Sequence, residues 1–436
     1  MPTPAEDDAA AVARLTAPDP RLGVPIPAYG GRSLPNVGAS VVAAVGLADV
    51  APPPLAPPLA ADLDPFHGRR AEGPVVVLLA DGFGWNSFAT WRATDRSDAA
   101  RRWSALARPI TTIFPTTTTA ALVSLSTATS PSRHGIVGYR QFLPRFGVVA
   151  DLLRMAPVGV AVPESLVGPD WSPDLISGAP SIFRRGVRGV AVSRDRFEGS
   201  ALTRLLYDGA EFVPYATASD LAHQLIDQLE RPTPPPVVYA YWDELDTVHH
   251  LRGPHDRLFA FEADRLAHLV AYVARHVDPA RAARTTLLVT ADHGQVPIVP
   301  TRQLRVDAVP ELAHAMARPL AGDRRAGYFA AIPGHLAELD AALARHLPSG
   351  SRVVEAEAAV AAGLFGPPPY HPELLARIGD RIAFVPVPTG LVSVPPGRRP
   401  SPHDLLGAHG GLAPEELVVP LVTGSLAEFA DAAREA

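Results

Sequence analysis

The chain has 436 residues, a net charge of −6 and 47% hydrophobic residues, which allows one large domain with an insertion or several ordinary ones and excludes global disorder. It contains no cysteine and its 39 basic residues are all arginine, so disulfides, thiolate metal sites, cysteine nucleophiles, a Walker lysine and a Schiff base are excluded together. The acidic balance argues against a nucleic-acid duplex as partner, which would require a basic footprint, and an anionic substrate would need a local positive source such as metal ions.

The N-terminal residues Met1 to Ala9 are acidic and do not lead from a basic stretch into an apolar run. No apolar stretch reaches the ~18 residues that read as a membrane span. The expectation is a soluble cytoplasmic protein without a membrane partner. Residues 1–70, rich in Pro and Ala with a Pro cluster from Pro52 to Pro58, read as an extension packed over the core's surface, with a short helix around Val41 to Leu47.

An alternation of strand and helix patterns begins near residue 74. Val75 to Ala80 is a continuous apolar run ending at Asp81-Gly82, as expected for a strand buried on both faces of a parallel sheet. Pro109 to Phe114 is a second run, followed by Pro115 and a helix-like segment from Thr118 to Thr127. Val237 to Trp242 is a third, ending at Asp243. Phe259, Leu266, Val270 and Val273 then recur at helical spacing. Leu287 to Thr290 is a fourth run, ending near Asp292, and Leu417 to Val422 is the candidate last strand. The pattern changes between 301 and 395. There Tyr328 to Ile332 and Val353-Val354 read as strands, and Leu336 to His346 reads as a helix. The expected architecture is α/β, with a core over 71–300 and 396–436 and a small α+β insertion over 301–395.

Metal-competent side chains follow the C-terminal ends of these strands, the edge where open α/β sheets bind ligands. They are Asp81, Asp246 with His250, and Asp292 with His293; His409 lies in a Gly-rich loop before the last strand. Each has a plain alternative. Asp81 could cap a turn, Asp246 and His250 could be a surface pair four apart on a helix, and His409 could be a loop histidine. His249 is an alternative ligand. Asp292-His293-Gly294 after an apolar strand is a more specific signal, because carboxylate plus imidazole suits zinc. The tract Thr116-Thr117-Thr118-Thr119 before a helix offers a hydroxyl nucleophile, once a metal or base removes its proton. It also offers backbone N–H groups for a phosphate. Competition for an N-cap is the alternative.

These residues resemble the alkaline phosphatase superfamily, and within it the type I phosphodiesterase/nucleotide pyrophosphatase branch. The motifs are VVVLLADGFG, FPTTTTAALVSLSTATSPSRHGIVGY, DTVHH, TADHG and AHGGLAPEE, over roughly 74–300 and 400–423. The resemblance implies a three-layer αβα sandwich with a mainly parallel sheet. It also implies two divalent metal ions, zinc being expected, and hydrolysis of a small phosphate ester or nucleotide through a hydroxyl nucleophile. By position, one metal takes Asp246, His250 and His409. The other takes Asp81, Asp292, His293 and the oxygen of Thr118. Thr118 stands three residues after Pro115 and sixteen before His134-Gly135, as the branch's nucleophile does; Thr117 is the fallback. The Thr119 N–H and the Tyr139 hydroxyl are the candidate contacts to the phosphate. The chain departs from the branch in having Thr119-Ala120-Ala121 where Phe-Pro-Asn usually follows the nucleophile. It also has Tyr139 where many members have an Asn. The second change leaves diester, monoester and phosphonate substrates all open. The sulfatase branch needs Cys or Ser where this chain has Thr129. A structural metalloprotein with a closed site is the remaining alternative, and it gives no use to a threonine at a helix start.

Overall fold

A computed structural model describes residues 4–47, 55–95, 97–394 and 405–430. Val75–Ala80 and Val237–Trp242 are buried at every position. They pair in parallel, from Val75 opposite Val237 to Ala80 opposite Trp242. Thr286–Thr290 lies parallel along the other edge of Val75–Ala80. These strands form the middle of a seven-stranded sheet in the order Ala107–Thr111, Val418–Ser425, Thr286–Thr290, Val75–Ala80, Val237–Trp242, Gly189–Arg194, Glu211–Tyr215. Val418–Ser425 is antiparallel to both its neighbours, and the other contacts are parallel.

Helices cover both faces, which explains why the central strands carry unbroken apolar runs. The 21-residue helix Asp256–His276 buries Phe259, Leu266, Val270 and Val273 and packs against Trp85–Thr94, Asp98–Leu106 and Ala218–Glu230. On the opposite face, Thr118–Thr127 packs against Leu34–Ala44 and Ala201–Tyr207. The layers make a three-layer αβα sandwich.

A first helix, Pro4–Leu15, was not expected, and the helix expected around Val41 to Leu47 begins at Leu34 and stops at Ala44. Leu34, Val37 and Val41 already fall at helical spacing, and Asn36 folds back to accept the Ser33 N–H at 2.9 Å. All of its residues except Ala43 are buried, so this helix joins the core. A Cβ on Gly38 would lie 2.4 Å from the Leu125 carbonyl oxygen and 3.2 Å from the Ala128 Cβ. Glycine therefore sets how closely this helix approaches the Thr118–Thr127 helix.

A second, antiparallel sheet has the order Arg352–Glu355, Arg381–Phe384, Ala326–Phe329, Ala321–Gly322, Arg140–Leu143, Val148–Asp151, Ala156–Pro157. It thus joins strands from the 301–395 stretch to strands that precede residue 160. The strand expected at Tyr328 to Ile332 lies at Ala326–Phe329, since Ala331 leaves its line to bridge Met316. The helix Leu336–His346 and a strand enclosing Val353-Val354 are found as read. No helix among the described residues is long and apolar enough to cross a membrane.

Candidate active site

The C-terminal ends of three adjacent parallel strands open onto one edge of the main sheet. Asp81 follows the first. Asp243 follows the second and starts the Glu244–Arg252 helix that carries Asp246 and His250. Asp292 and His293 follow the third after Ala291. Gly82 has φ +75, and a Cβ there would sit 3.1 Å from the Asp246 Cα, so glycine lets the Asp81 turn lie against the Asp246 helix. Arg194 holds the start of that helix, donating to Asp243 at 2.9 Å and Glu244 at 2.8 Å. The His409 loop is fixed from below by buried Glu416, which accepts the Gly411 N–H at 2.9 Å and lies 3.5 Å from Arg325.

Three histidines share one arrangement. Nδ1 faces a backbone carbonyl in each: Gly407 at 2.9 Å for His250, Gly294 at 3.1 Å for His293 and Thr116 at 2.8 Å for His409. A proton placed on Nδ1 leaves Nε2 bare, which is the tautomer and orientation of a metal-binding imidazole. The bare nitrogens meet carboxylates. His293 Nε2 lies 3.5 Å from Asp81 Oδ1 and 3.4 Å from Asp292 Oδ2. His250 Nε2 lies 3.3 Å and His409 Nε2 4.0 Å from Asp246 Oδ1.

The potential ligand atoms of Asp81, Asp292 and His293 lie within 4.8 Å of one another, and so do those of Asp246, His293 and His409. His293 belongs to both groups. His250 stands beside the second group, on Asp246, while its neighbour His249 is buried with its ring stacked on Phe259. Asp81 is oriented by Tyr241, whose hydroxyl donates to Oδ2. Asp292 Oδ1 accepts the N–H groups of Gly82 and His293 at 3.1 and 3.0 Å. The other oxygen of each carboxylate, Asp81 Oδ1 and Asp292 Oδ2, is buried without a hydrogen-bond partner. Such oxygens are costly to bury, and cations supply what they lack. A donor set of carboxylate oxygens and imidazole nitrogens suits zinc and its first-row neighbours.

Burial dominates the acid–base behaviour here. It pushes Asp292 up to about 7 and raises Asp81, which Asp292 and Asp246 raise further. It pushes His293 down to about 3, with His250 adding to the effect, and lowers His409, with His293 and His250 adding to it. Desolvation and mutual repulsion thus oppose charge on these groups until a divalent cation offsets both.

Thr118 opens the Thr118–Thr127 helix, and its Oγ1 lies 3.1 Å from His293 Nε2. The N-cap residue, Thr117, is buried and makes no side-chain cap bond. Thr119 is buried too, with its hydroxyl directed to the Gly138 carbonyl at 3.3 Å. First-turn N–H groups have no acceptor within a helix, so the Thr119 N–H is placed to meet an anion beside Thr118. The Tyr139 hydroxyl donates to Asp151 Oδ2 at 2.8 Å, so its proton is committed to a neighbour; the Tyr139 N–H donates to Asp323 at 3.2 Å. Above the cluster a cleft of about 930 Å³ is lined by Thr117, Thr118, Asp246, His250 and His409 together with Arg140, Asp323 and Arg324. Tyr241, Asp323 and the two arginines carry no local motif, and only the fold brings them here.

The family model for type I phosphodiesterase/nucleotide pyrophosphatase matches residues 75–361, more than half of the chain. The chain belongs to this family. Its members are phosphoric ester hydrolases of the alkaline phosphatase superfamily, and the chain is an enzyme of that class. Among solved structures it is similar to murine ectonucleotide pyrophosphatase/phosphodiesterase 5, with 18% identity over 80% of this chain and 87% of that one and a TM-score of 0.59. An inactive threonine-to-alanine variant of that protein, in complex with AMP, superimposes with a TM-score of 0.61 at 18% identity and the same coverage. Phosphonoacetate hydrolase from Sinorhizobium meliloti 1021, in complex with phosphonoacetate, is 17% identical over 81% of this chain and 90% of that one, with a TM-score of 0.56. At these identities the likeness establishes the fold. No curated protein matches the chain in sequence.

Proposed function

We propose that this family member cleaves phosphodiesters or phosphoanhydrides through Thr118, with two divalent cations, zinc being the expected metal. One cation would be held by Asp246, His250 and His409. The other would be held by Asp81, Asp292, His293 and the Thr118 oxygen. The observation that carries the reading is the Thr118 hydroxyl 3.1 Å from Nε2 of His293, the residue common to both groups of potential ligands. A pair of cations ~4 Å apart would neutralise charge on the attacking and leaving oxygens and lower the pKa of a hydroxyl between them.

The chain's own groups do the rest. The helix start presents Thr118 Oγ1 to the phosphorus with the Thr119 N–H beside a non-bridging oxygen. Attack breaks the bond to the leaving group and forms a phosphothreonine ester, which water then hydrolyses to free the product and restore the hydroxyl. Protein groups mainly position and neutralise charge in such transfers, which is what three oriented imidazoles, two buried carboxylates and the half-buried Asp246 can do. Tyr139 stays a candidate phosphate contact, through a hydroxyl that would first have to turn from Asp151.

Monoester or phosphonate hydrolysis on the same scaffold is the second reading. It is favoured by Tyr139 in place of the branch's Asn and by the likeness to phosphonoacetate hydrolase. Turnover of p-nitrophenyl phosphate against bis-p-nitrophenyl phosphate, with and without EDTA, separates the two. The main reading expects faster diester cleavage that chelator removes and added zinc restores. Faster monoester cleavage moves the assignment to the second reading, and activity indifferent to EDTA contradicts both.

A further inference from the structure

Asp246 has a partner outside the six Asp and His side chains. Gln295 lies two residues beyond His293 and is buried. Its Nε2 donates to Asp246 Oδ1, and to the Asp246 backbone carbonyl at 3.4 Å. Both acceptors are oxygens, so the amide has to present its N–H end to them; its own oxygen would meet only lone pairs there. The other end of the amide goes without. Gln295 Oε1 is buried with no hydrogen-bond partner among the described residues. An unsatisfied buried oxygen is unfavourable for folding, and an apolar side chain of the same shape would fill the space without it. What the glutamine adds at this position is its donor end.

The backbone holds this amide among the parts of one half of the cluster. Val296–Pro297 pairs antiparallel with Gly407–Ala408, and a Cβ on Gly407 would come within 2.5 Å of Gln295 Oε1, so glycine leaves room for the amide. The Gly407 carbonyl is the one that faces His250 Nδ1 at 2.9 Å, and His409 follows Ala408 directly. The Oδ1 atom that accepts from Gln295 also lies 3.3 Å from His250 Nε2 and 4.0 Å from His409 Nε2. A carboxylate oxygen has two lone pairs, and an amide N–H on one aims the other. Asp81 and Asp292 are oriented by different donors, the Tyr241 hydroxyl and the N–H groups of Gly82 and His293.

We propose that Gln295 is a positioning residue for the cation held by Asp246, His250 and His409, its amide N–H occupying one lone pair of Asp246 Oδ1 and turning the other toward the two imidazoles. This rests on the two-metal reading. Removing a hydrogen-bond partner of this kind from a metal ligand lowers metal affinity roughly 10- to 100-fold. Zinc titration of the metal-free, full-length protein against a chromophoric chelator tests it. Gln295→Met removes the donor at near-constant volume, and Gln295→Ala is the second variant should methionine disturb folding. The parent protein is expected to take up two zinc ions. In the folded variant one ion should bind roughly 10- to 100-fold more weakly, and the other within about threefold of the parent. Titration with cobalt(II) supplies a readout that a merely structural role would not move. The visible absorption of the weakened ion should change in shape, because its carboxylate ligand is no longer held. Two unchanged zinc affinities would overturn the proposal. Equal weakening of both ions, a weakened ion with the parent's cobalt spectrum, or loss of the fold in both variants would also overturn it, since Gln295 would then be supporting the structure at large. A parent protein that binds fewer than two zinc ions would instead reject the two-metal reading, and the role of Gln295 with it.

Discussion

Thr118→Ala is expected to leave metal content and fold intact while kcat falls by at least roughly 10³-fold, the scale seen when a covalent nucleophile is removed. The hydroxyl is the group facing His293 Nε2, and no other hydroxyl of the tract is hydrogen-bonded to that nitrogen. Thr117 is buried at the N-cap, and the Thr119 hydroxyl is directed to the Gly138 carbonyl. Six Asp and His side chains remain to hold the cations, and alanine is a good helix former at this position. Metal content by elemental analysis and turnover on the same preparation therefore separate nucleophile from ligand. Thr117→Ala is the control and should keep most of its activity. A Thr118→Ala protein that turns over at near the parent rate would remove Thr118 from its role.

His293→Ala is expected to cost at least one bound cation per chain and to lower turnover by roughly 10²-fold or more, since one cation contributes several kcal/mol to such a transition state. His293 is fully buried and belongs to both groups of potential ligands. Its Nδ1 bonds only the neighbouring Gly294 carbonyl, and its Nε2 bonds the Thr118 hydroxyl inside the site. What the substitution removes is the imidazole between Asp81 and Asp292, two buried carboxylates of which the second disfavours charge on the first. Unchanged metal stoichiometry would reject the second site.

The parts of the fold legible in the sequence were those where one physical requirement dominates. Val75–Ala80, Val237–Trp242 and Thr286–Thr290 are covered on both faces, so nothing polar interrupts them. Gly189–Arg194 and Glu211–Tyr215 escaped notice because they lie toward the edge of the sheet. The last of these mixes exposed and buried positions and contains Pro214, as an edge strand can. The Leu34–Ala44 helix was misplaced because its start depends on Asn36 capping back to Ser33, and its burial on a glycine contact with Leu125.

Within the candidate site, Asp81, Asp292 and His293 stood out because they follow strands, and Asp246 and His250 because they stand four apart on the helix after one. Which of them meet was not local information. His293 reaches toward Asp246 and His409 as well as toward Asp81 and Asp292, and that depends on how three strand ends are spaced. Tyr139 was read as a phosphate contact from its place after a His-Gly pair, but its engagement with Asp151 depends on pairing between Arg140–Leu143 and Val148–Asp151. Arg324 reaches the cleft only because the 321–329 hairpin adds to that same sheet.

Anomalous diffraction from crystals grown with zinc probes the central claim most directly. Two peaks ~4 Å apart are expected, one bounded by Asp81, Asp292 and His293, the other by Asp246, His250 and His409, with the Thr118 hydroxyl at ligand distance from the first. A single peak, peaks away from these six side chains, or a Thr118 hydroxyl turned from both would contradict it.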